Sequence, residues 1–528
     1  MTSIPLKLAP EYWQNLSFSK KDIEFLQNYL FETETPLNGE KLVALLIDER
    51  IRVERENQAR LQKDKGDLYM PKEQYSPGQK LVFPAMGLKM GTVASIRPGN
   101  NPQIGAFDVL EVKMDDGGTR LFAAALGEHK LNHPPEEKAD PESDPQAILA
   151  EHGEGLEKKL AAALKSDENI VQVAGVWFSQ SLLLDVNPGH LNLAEAVLEV
   201  SGGEPLSTSK LMEQVELPKD VNPGLMEFSL NYALRQDGRF DEVGPAGKVL
   251  WCLKRLEPDE VQNVPLSLKY NPIDYDRSLL NSQMLAFEAQ LDDELNETDQ
   301  KPSKANEVLV TLTFPHWRTG TLPISLRVSS FFPVAIESPR VRFTLVDGKT
   351  GEKMPAWVVR EYGYVYGLRK WYEKQKLIPG AYIAVRRSNV PGEVIVEAKT
   401  RRPTREWVRT VLAGSDGGLV FAVLKQEVAC DYNERMATVV PDVAAVDESF
   451  SRTSRSRQPL EQLLRDMLRE LAKLTPQGHV HAEELYSAVN ILRRVPPAPL
   501  LATLAATSDF VHVGDLHYRL GDMNPEEE

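Results

Sequence analysis

Val394-Ile395-Val396-Glu397-Ala398-Lys399 is an apolar strand that ends in a carboxylate and, two residues on, a lysine. In that spacing a Glu can hold a divalent metal while the Lys assists an attacking water. The chemistry also needs an upstream Asp, and the nearest, Asp347, lies some 50 residues earlier. Asp347-Gly348-Lys349-Thr350 in turn has the ending of a phosphate-cradling loop. That loop requires a glycine five residues before Gly348, where Phe343 stands, so a D-G turn between strands is the better account. His479 and His481 are spaced i, i+2, and His512 and His517 lie near the C-terminus. A metal site would need further ligands in open geometry, so helix capping is the expected role. Cys252 and Cys430 stand far apart with no CxxC, which excludes a disulfide scaffold. No nucleophile–base pair can be assembled. No catalytic residue, metal or cofactor is expected.

A different chemistry is written in the charges. The 528 residues carry a net charge of −16. Residues 301–410 nevertheless hold 20 Lys and Arg against 9 Asp and Glu, a net of +11, which leaves −27 for the rest. A basic block in an acidic chain suggests a domain that meets a polyanion, with acidic neighbours that compete for it. Aromatics interleave with the cations, as in Tyr362, Tyr364, Tyr366, Arg369, Lys370, Trp371, Tyr372, Lys374 and again in Arg401, Arg402, Arg405, Trp407. Cations neutralise phosphates with counterion release, and exposed aromatics stack on bases. The expected nucleic-acid contacts are Arg369, Lys370, Lys374, Arg386, Arg387, Arg401 and Arg402.

Elements must position these residues. The length calls for several domains, and 42% hydrophobic residues suffice to build their cores. Apolar runs such as Leu42–Ile47 are far short of the ~20 residues of a membrane helix, and no secretory signal is read, so a cytoplasmic protein is expected. Residues 1–65 read as a helical unit. Residues 70–130 switch to short strands with Gly-rich turns, similar to a small SH3-like barrel. Residues 131–188, with HPPEEKADPESDP, read as an acidic linker with a helix, and 258–305, with LDDELNETDQKPSK, as a second. Residues 306–440 read as a basic, mostly-β domain, and 441–458 as a linker.

Residues 189–257 show three helices and a hairpin, the pattern of a winged helix, and 459–523 repeat it. Asp237-Gly238-Arg239-Phe240-Asp241-Glu242-Val243-Gly244 and Ser508-Asp509-Phe510-Val511-His512-Val513-Gly514 share an Asp ahead of F-x-x-V-G. These residues resemble the HARE-HTH winged-helix family. The resemblance implies association with transcription or other DNA-linked machinery through binding. The third helices depart from a DNA reader: Leu225–Arg235 has one basic residue and Pro497–Ala506 has none. Gly367–Val385 is similar in outline to a DNA-binding pseudobarrel. Residues 10–60 read as a helix–turn–helix unit by pattern, and whether 1–60 form a third winged helix stays open, because the charged run Arg50–Lys65 replaces the strand that should follow.

The expected fold class is α+β multi-domain, with winged helices, a small SH3-like β-barrel and a larger mostly-β domain. The expected function is a nucleic-acid-associated regulatory or scaffold protein that binds without catalysis. DNA or RNA would meet the 306–440 domain, and protein partners the winged helices. A protein–protein adaptor is the alternative, and a metal-dependent nuclease around Glu397 and Lys399 the third.

Overall fold

The computed structural model describes residues 11–63, 66–87, 89–101, 105–132, 144–215, 221–297, 305–414 and 417–521. Helices and sheets both contribute, in an α+β multi-domain chain. It divides into two compact units, residues 1–184 with 221–228, and residues 185–220 with 229–528.

In the first unit a single helical turn, α1 (Tyr12–Asn15), precedes α2 (Lys20–Thr33), β1 (Leu37–Asn38) and α3 (Gly39–Lys63). Ser19 stops α2 from unravelling: its N–H and hydroxyl both donate to Asp22, which also takes the Arg50 guanidinium at 2.5 Å. A five-stranded sheet follows, made of β2 (Asp67–Leu68), β3 (Lys80–Phe83), β4 (Lys89–Pro98), β5 (Asp108–Met114) and β6 (Thr119–Ala124) in that spatial order. It curls into a half-barrel around Leu81, Phe83, Leu110 and Val112. The segment after β2 meets the end of β6, where the Tyr69 hydroxyl donates to the Ala123 carbonyl (2.6 Å) and Leu126 N–H to Pro71 (2.8 Å). Then α4 (Pro145–Lys165) leads to a hairpin, β7 (Ile170–Val173) and β8 (Val176–Ser179). Strand β8 pairs with β7 and, across the whole insertion, with β1: Leu37 faces Trp177 and Asn38 faces Val176.

In 131–188, read as an acidic linker with a helix, the helix is present as α4, and the hairpin that pairs with β1 is what the reading lacked. Both complete the N-terminal helices; the run HPPEEKADPES lies outside the described residues. The strand that pairs with β1 comes after the half-barrel and α4, not directly after α3.

The same order recurs twice more. The helices α5 (Pro188–Val200), α6 (Thr208–Met212) and α7 (Pro223–Gln236) come with β9 (Leu206–Ser207), β10 (Phe240–Glu242) and β11 (Leu250–Leu253). Two further helices follow, α8 (Asp259–Gln262) and α9 (Ser282–Leu291), where a solvated connector was expected. Met284, Phe287 and Glu288 of α9 are buried, so burial overrides the acidic composition there.

Next comes a seven-stranded sheet with two short helices. Its elements are β12 (Glu307–Thr311), α10 (Phe314–Thr319), β13 (Thr321–Pro323), β14 (Arg340–Asp347), β15 (Lys353–Val359), β16 (Tyr364–Tyr366), α11 (Arg369–Lys374), β17 (Tyr382–Arg387) and β18 (Glu393–Ala398). The order is β12-β17-β18-β14-β15-β16-β13, antiparallel except for β14 with β18. A long hairpin, β19 (Thr400–Ala413) and β20 (Leu419–Cys430), pairs only with itself among the named strands.

Residues 441–458, read as a linker, form α12 (Val443–Ser456), which buries Val446 and Ser449. The third set is α13 (Leu460–Ala472), β21 (Val480–His481), α14 (Ala482–Leu492), α15 (Pro497–Ala506), β22 (Phe510–Gly514) and β23 (His517–Leu520). In all three sets the final strand lies between the other two: β1-β8-β7, β9-β11-β10 and β21-β23-β22.

The sets also share a fastening between the first helix and the start of the hairpin. Gln27 of α2 donates to Asp167 (2.9 Å). Arg239 reaches Glu195 of α5 (2.5 Å), and Arg465 of α13 reaches Asp509 (2.5 Å). The D-x-R-F and S-D-F residues noticed in the sequence thus hold the hairpin to its first helix.

Candidate nucleic-acid interface

The seven expected contact residues separate into two groups. Arg369 and Lys370 open α11, exposed and without a carboxylate partner among the described residues, and Arg402 is likewise exposed on β19. The other four are engaged. Lys374 pairs with Glu352. Arg386 pairs with Glu397 at 2.5 Å and Glu307 at 3.6 Å. Arg401 pairs with Glu406 at 2.7 Å and Asp431 at 3.5 Å, and lies over the Tyr432 ring. Arg387 donates to the Ser330 hydroxyl (3.1 Å) and covers the Phe331 ring.

Counting charge along 301–410 missed carboxylates that arrive from elsewhere in the chain. Arg318 binds Asp447 (2.6 Å), Arg340 binds both Asp241 (2.6 Å) and Glu257 (2.9 Å), and Lys376 approaches Glu427. The aromatics divide as well. Tyr364, Trp371 and Tyr372 are buried in the sheet's cores, Tyr362 is 39% exposed and stacks on Tyr364, and Trp407 is 69% exposed.

Trp407 sits on the β19–β20 hairpin. Residues directly across an antiparallel pair share a face, as do residues two apart. The register places Lys425 opposite Trp407 and Glu427 opposite Arg405, so Arg405, Trp407, Lys425 and Glu427 share one face, with the Glu427 carboxylate drawn toward Lys376 at 3.7 Å. Arg405 and Lys425 are exposed with no ion pair among the described residues. The hairpin is anchored further along, where Arg409 is buried and donates to Thr438 (3.1 Å) and the Arg435 carbonyl (2.7 Å). Burial pulls that guanidinium down to about 10. Lys425 was not singled out in the sequence, because only the strand register brings it to Trp407.

The third helix of the C-terminal set cannot enter a DNA groove as placed. Pro497, Leu500, Leu501 and Leu504 of α15 are buried, within a core shared with α9. The middle set's hairpin is occupied too. Arg342 N–H donates to the Val243 carbonyl (2.8 Å), the Ser338 hydroxyl to Glu242 (2.5 Å), and Ala246 N–H to Val334 (2.7 Å).

The nuclease geometry does not form around Glu397 and Lys399. Asp347 lies in register with Val396, so it shares a face with Val396 while Glu397, one residue on, points to the other. Asp347 is 1% exposed and accepts from Trp371 Nε1 (2.9 Å), Gln375 (3.1 Å) and Lys349 N–H (2.8 Å). Burial alone would raise its pKa; these donors outweigh it and hold the carboxyl below its ordinary value. Glu397 is bound by Arg386 and, at 3.5 Å, by Lys399. Among the described residues no group of three His, Cys, Asp or Glu is placed to hold a metal, and no helix is long and apolar enough to cross a membrane.

One polar cluster had no signal in the sequence. Arg494 reaches Asp293 (2.5 Å) and Glu294 (2.8 Å), and the Tyr486 hydroxyl donates to Asp293 (2.5 Å). His316 contacts Glu294 (3.0 Å) and Thr321 (2.8 Å). All are buried or nearly so. Burial opposes ionisation of Glu294, but Arg494 and His316 hold it well below the usual carboxylate range. No protein-family model, curated protein or solved structure matches the chain.

Proposed function

We propose that this chain is a non-catalytic, nucleic-acid-associated scaffold that holds a single-strand contact on the β19–β20 hairpin. The observation that carries the reading is Trp407, exposed at 69% on the same hairpin face as Arg405 and Lys425, neither of which has an ion-pair partner among the described residues. Every base has a π-face, so an exposed indole flanked by cations suits unpaired DNA or RNA. Arg402, Arg369 and Lys370 extend the cationic surface. Lys374, Arg386, Arg387 and Arg401 keep the strands in place through their bonds and are positioning residues in this reading.

The threefold helix–strand–helix–helix–hairpin order supports reading the three sets as winged-helix modules, the HARE-HTH type included, with the half-barrel as an SH3-like insertion. Modules of this kind suit transcription machinery. Here two of them have surfaces committed to packing within their own unit, which favours a structural part over groove reading.

Fluorescence anisotropy of the full chain with single-stranded DNA, single-stranded RNA and duplex DNA across a salt series tests the proposal. Trp407→Ala should weaken single-strand binding by ~1–3 kcal/mol. Arg405→Ala should flatten the log–log salt slope by about 0.7. Binding that ignores both substitutions refutes the hairpin contact. A second reading, a protein adaptor, is favoured by apolar side chains exposed on the same hairpin, Val423 on the Trp407 face and Leu412, Val420 and Leu424 on the other. Absence of nucleic-acid binding at low salt would leave that reading standing.

A further inference from the structure

A cavity of about 740 Å³ opens in the second unit, and no residue of the β19–β20 hairpin lines it. Its walls come from the segment after α8, the C-terminal end of α12 and the residues that follow α14. Lys269, Arg455, Arg457 and Arg493 line it, and no Asp or Glu does. This is unusual for a chain with a net charge of −16 whose other arginines are so often paired. The side chains of Lys269, Arg455 and Arg457 are exposed and have no hydrogen-bond or ion-pair partner among the described residues. Arg493 spends one N–H on the Gln458 carbonyl (3.1 Å). Arg494 also lines the cavity. Its Nη2 donates to Asp293 and Glu294 and its Nη1 to Asn490 Oδ1 and the Val495 carbonyl, but its buried Nε has no hydrogen-bond partner.

Like charges gathered around one space repel unless an anion occupies it. The remaining lining narrows the kind of anion. Ser451, Thr453 and Ser454 offer hydroxyl donors, while Leu266, 73% exposed, and Phe450 offer apolar surface. The volume falls in the range of sites for one small molecule. Guanidinium groups bind phosphate oxygens in pairs, and several close together match adjacent phosphates better than a single one. We propose that this cavity binds a small organic di- or triphosphate, with its phosphates at Arg455, Arg457, Arg493 and Lys269 and its organic part against Leu266 and Phe450. This site is separate from the hairpin contact and does not depend on it.

Calorimetric titration of the full chain with ATP, inorganic triphosphate and adenosine tests it. ATP should bind, inorganic triphosphate should bind more weakly, and adenosine should give no heat. Arg455→Ala/Arg457→Ala should weaken ATP by roughly tenfold or more, with the unliganded melting temperature unchanged because both side chains are exposed and unpaired. Trp407→Ala should leave ATP binding intact, which keeps this result distinct from failure of the hairpin reading. The proposal is overturned if ATP gives no heat at about 1 mM, or if the double variant binds as well as the parent. It is equally overturned if adenosine binds as tightly as ATP, or if the double substitution abolishes oligonucleotide binding while ATP gives no heat.

Discussion

Replacing Arg494 with Met should loosen the C-terminal part of the second unit. The Arg494 side chain is 2% exposed, and it neutralises Asp293 at 0% and Glu294 at 7%. Methionine fills much of the same volume but leaves two carboxylates buried without their cation. Removing one partner of a buried ion pair costs about 3–5 kcal/mol, because the orphaned charge stays out of water. At 1.4 kcal/mol per tenfold, that is roughly two to three and a half orders of magnitude in a local opening equilibrium. Amide hydrogen exchange of Leu485–Val495 in the full chain reads this directly. The triple variant Arg494→Met/Asp293→Asn/Glu294→Gln removes the stranded charge and should recover much of the loss. The pH dependence has a definite sign. Glu294 is depressed in the fold, so its contribution is complete above the ordinary carboxylate value of about 4.3 and is lost only as pH falls well below it. The parent should therefore lose nothing between pH 7 and 5, whereas in Arg494→Met burial pushes the stranded carboxylates up, so the difference between the two should be largest at pH 7 and shrink as pH falls toward 5. A single-variant effect under about fivefold in exchange, or a triple variant no better than the single, would refute the reasoning.

Other expectations can be checked by urea unfolding. His481 is held down to about 4 by burial, with Arg435 and His517 adding to it, while Nδ1 accepts the Glu483 N–H at 3.1 Å. Its unfolded value is about 6.5, so stability is full above that and falls as pH drops toward 4; His481→Asn keeps a capping acceptor and should flatten the slope. Asn231 accepts from Trp251 Nε1 (2.8 Å) and the Thr208 hydroxyl (2.6 Å), both buried. Asn231→Leu strands these two donors and should cost about 1–3 kcal/mol for each; a midpoint unchanged from the parent would contradict that bonding. Arg239→Met, which cuts the tie from hairpin to α5, should cost less, about 0–1 kcal/mol for each exposed pair it removes.

Much of the local structure was legible because it is decided locally. Ser19 announces α2, the D-G pair of Asp347-Gly348 announces a turn, and the alternation of 108–114 announces β5. The misread regions depend on partners far along the chain. Asp293 and Glu294 look like a solvated acidic run until Arg494, 200 residues later, is folded against them. The net charge counted along the basic block includes arginines whose partners, Asp241, Glu257, Asp447 and Asp431, lie outside it. Composition cannot distinguish a carboxylate in water from one in an ion pair. Of the site, Arg402, Arg405 and Trp407 were visible as a cluster, whereas Lys425 needed the register.

The N-terminal set gives the sharpest test of how the chain is built. If the half-barrel is an insertion between α3 and α4, the pairing of β1 with β8 does not depend on it. Replacing residues 64–143 with about twelve Gly and Ser residues, which reach roughly 20 Å on average, should leave that pairing intact. Trp177 faces Leu37 across the pair and is 3% exposed, so its fluorescence reports the joint. The shortened chain should keep a buried Trp177 signal and unfold cooperatively, and Leu37→Asp should abolish both features of this set. A second variant with about twice the linker separates strain from instability: recovery with the longer linker means the first was taut. Exposure of Trp177 with both linkers would mean that the half-barrel is part of the N-terminal fold. The threefold repeat would then be a likeness of strand order without independence of the first module.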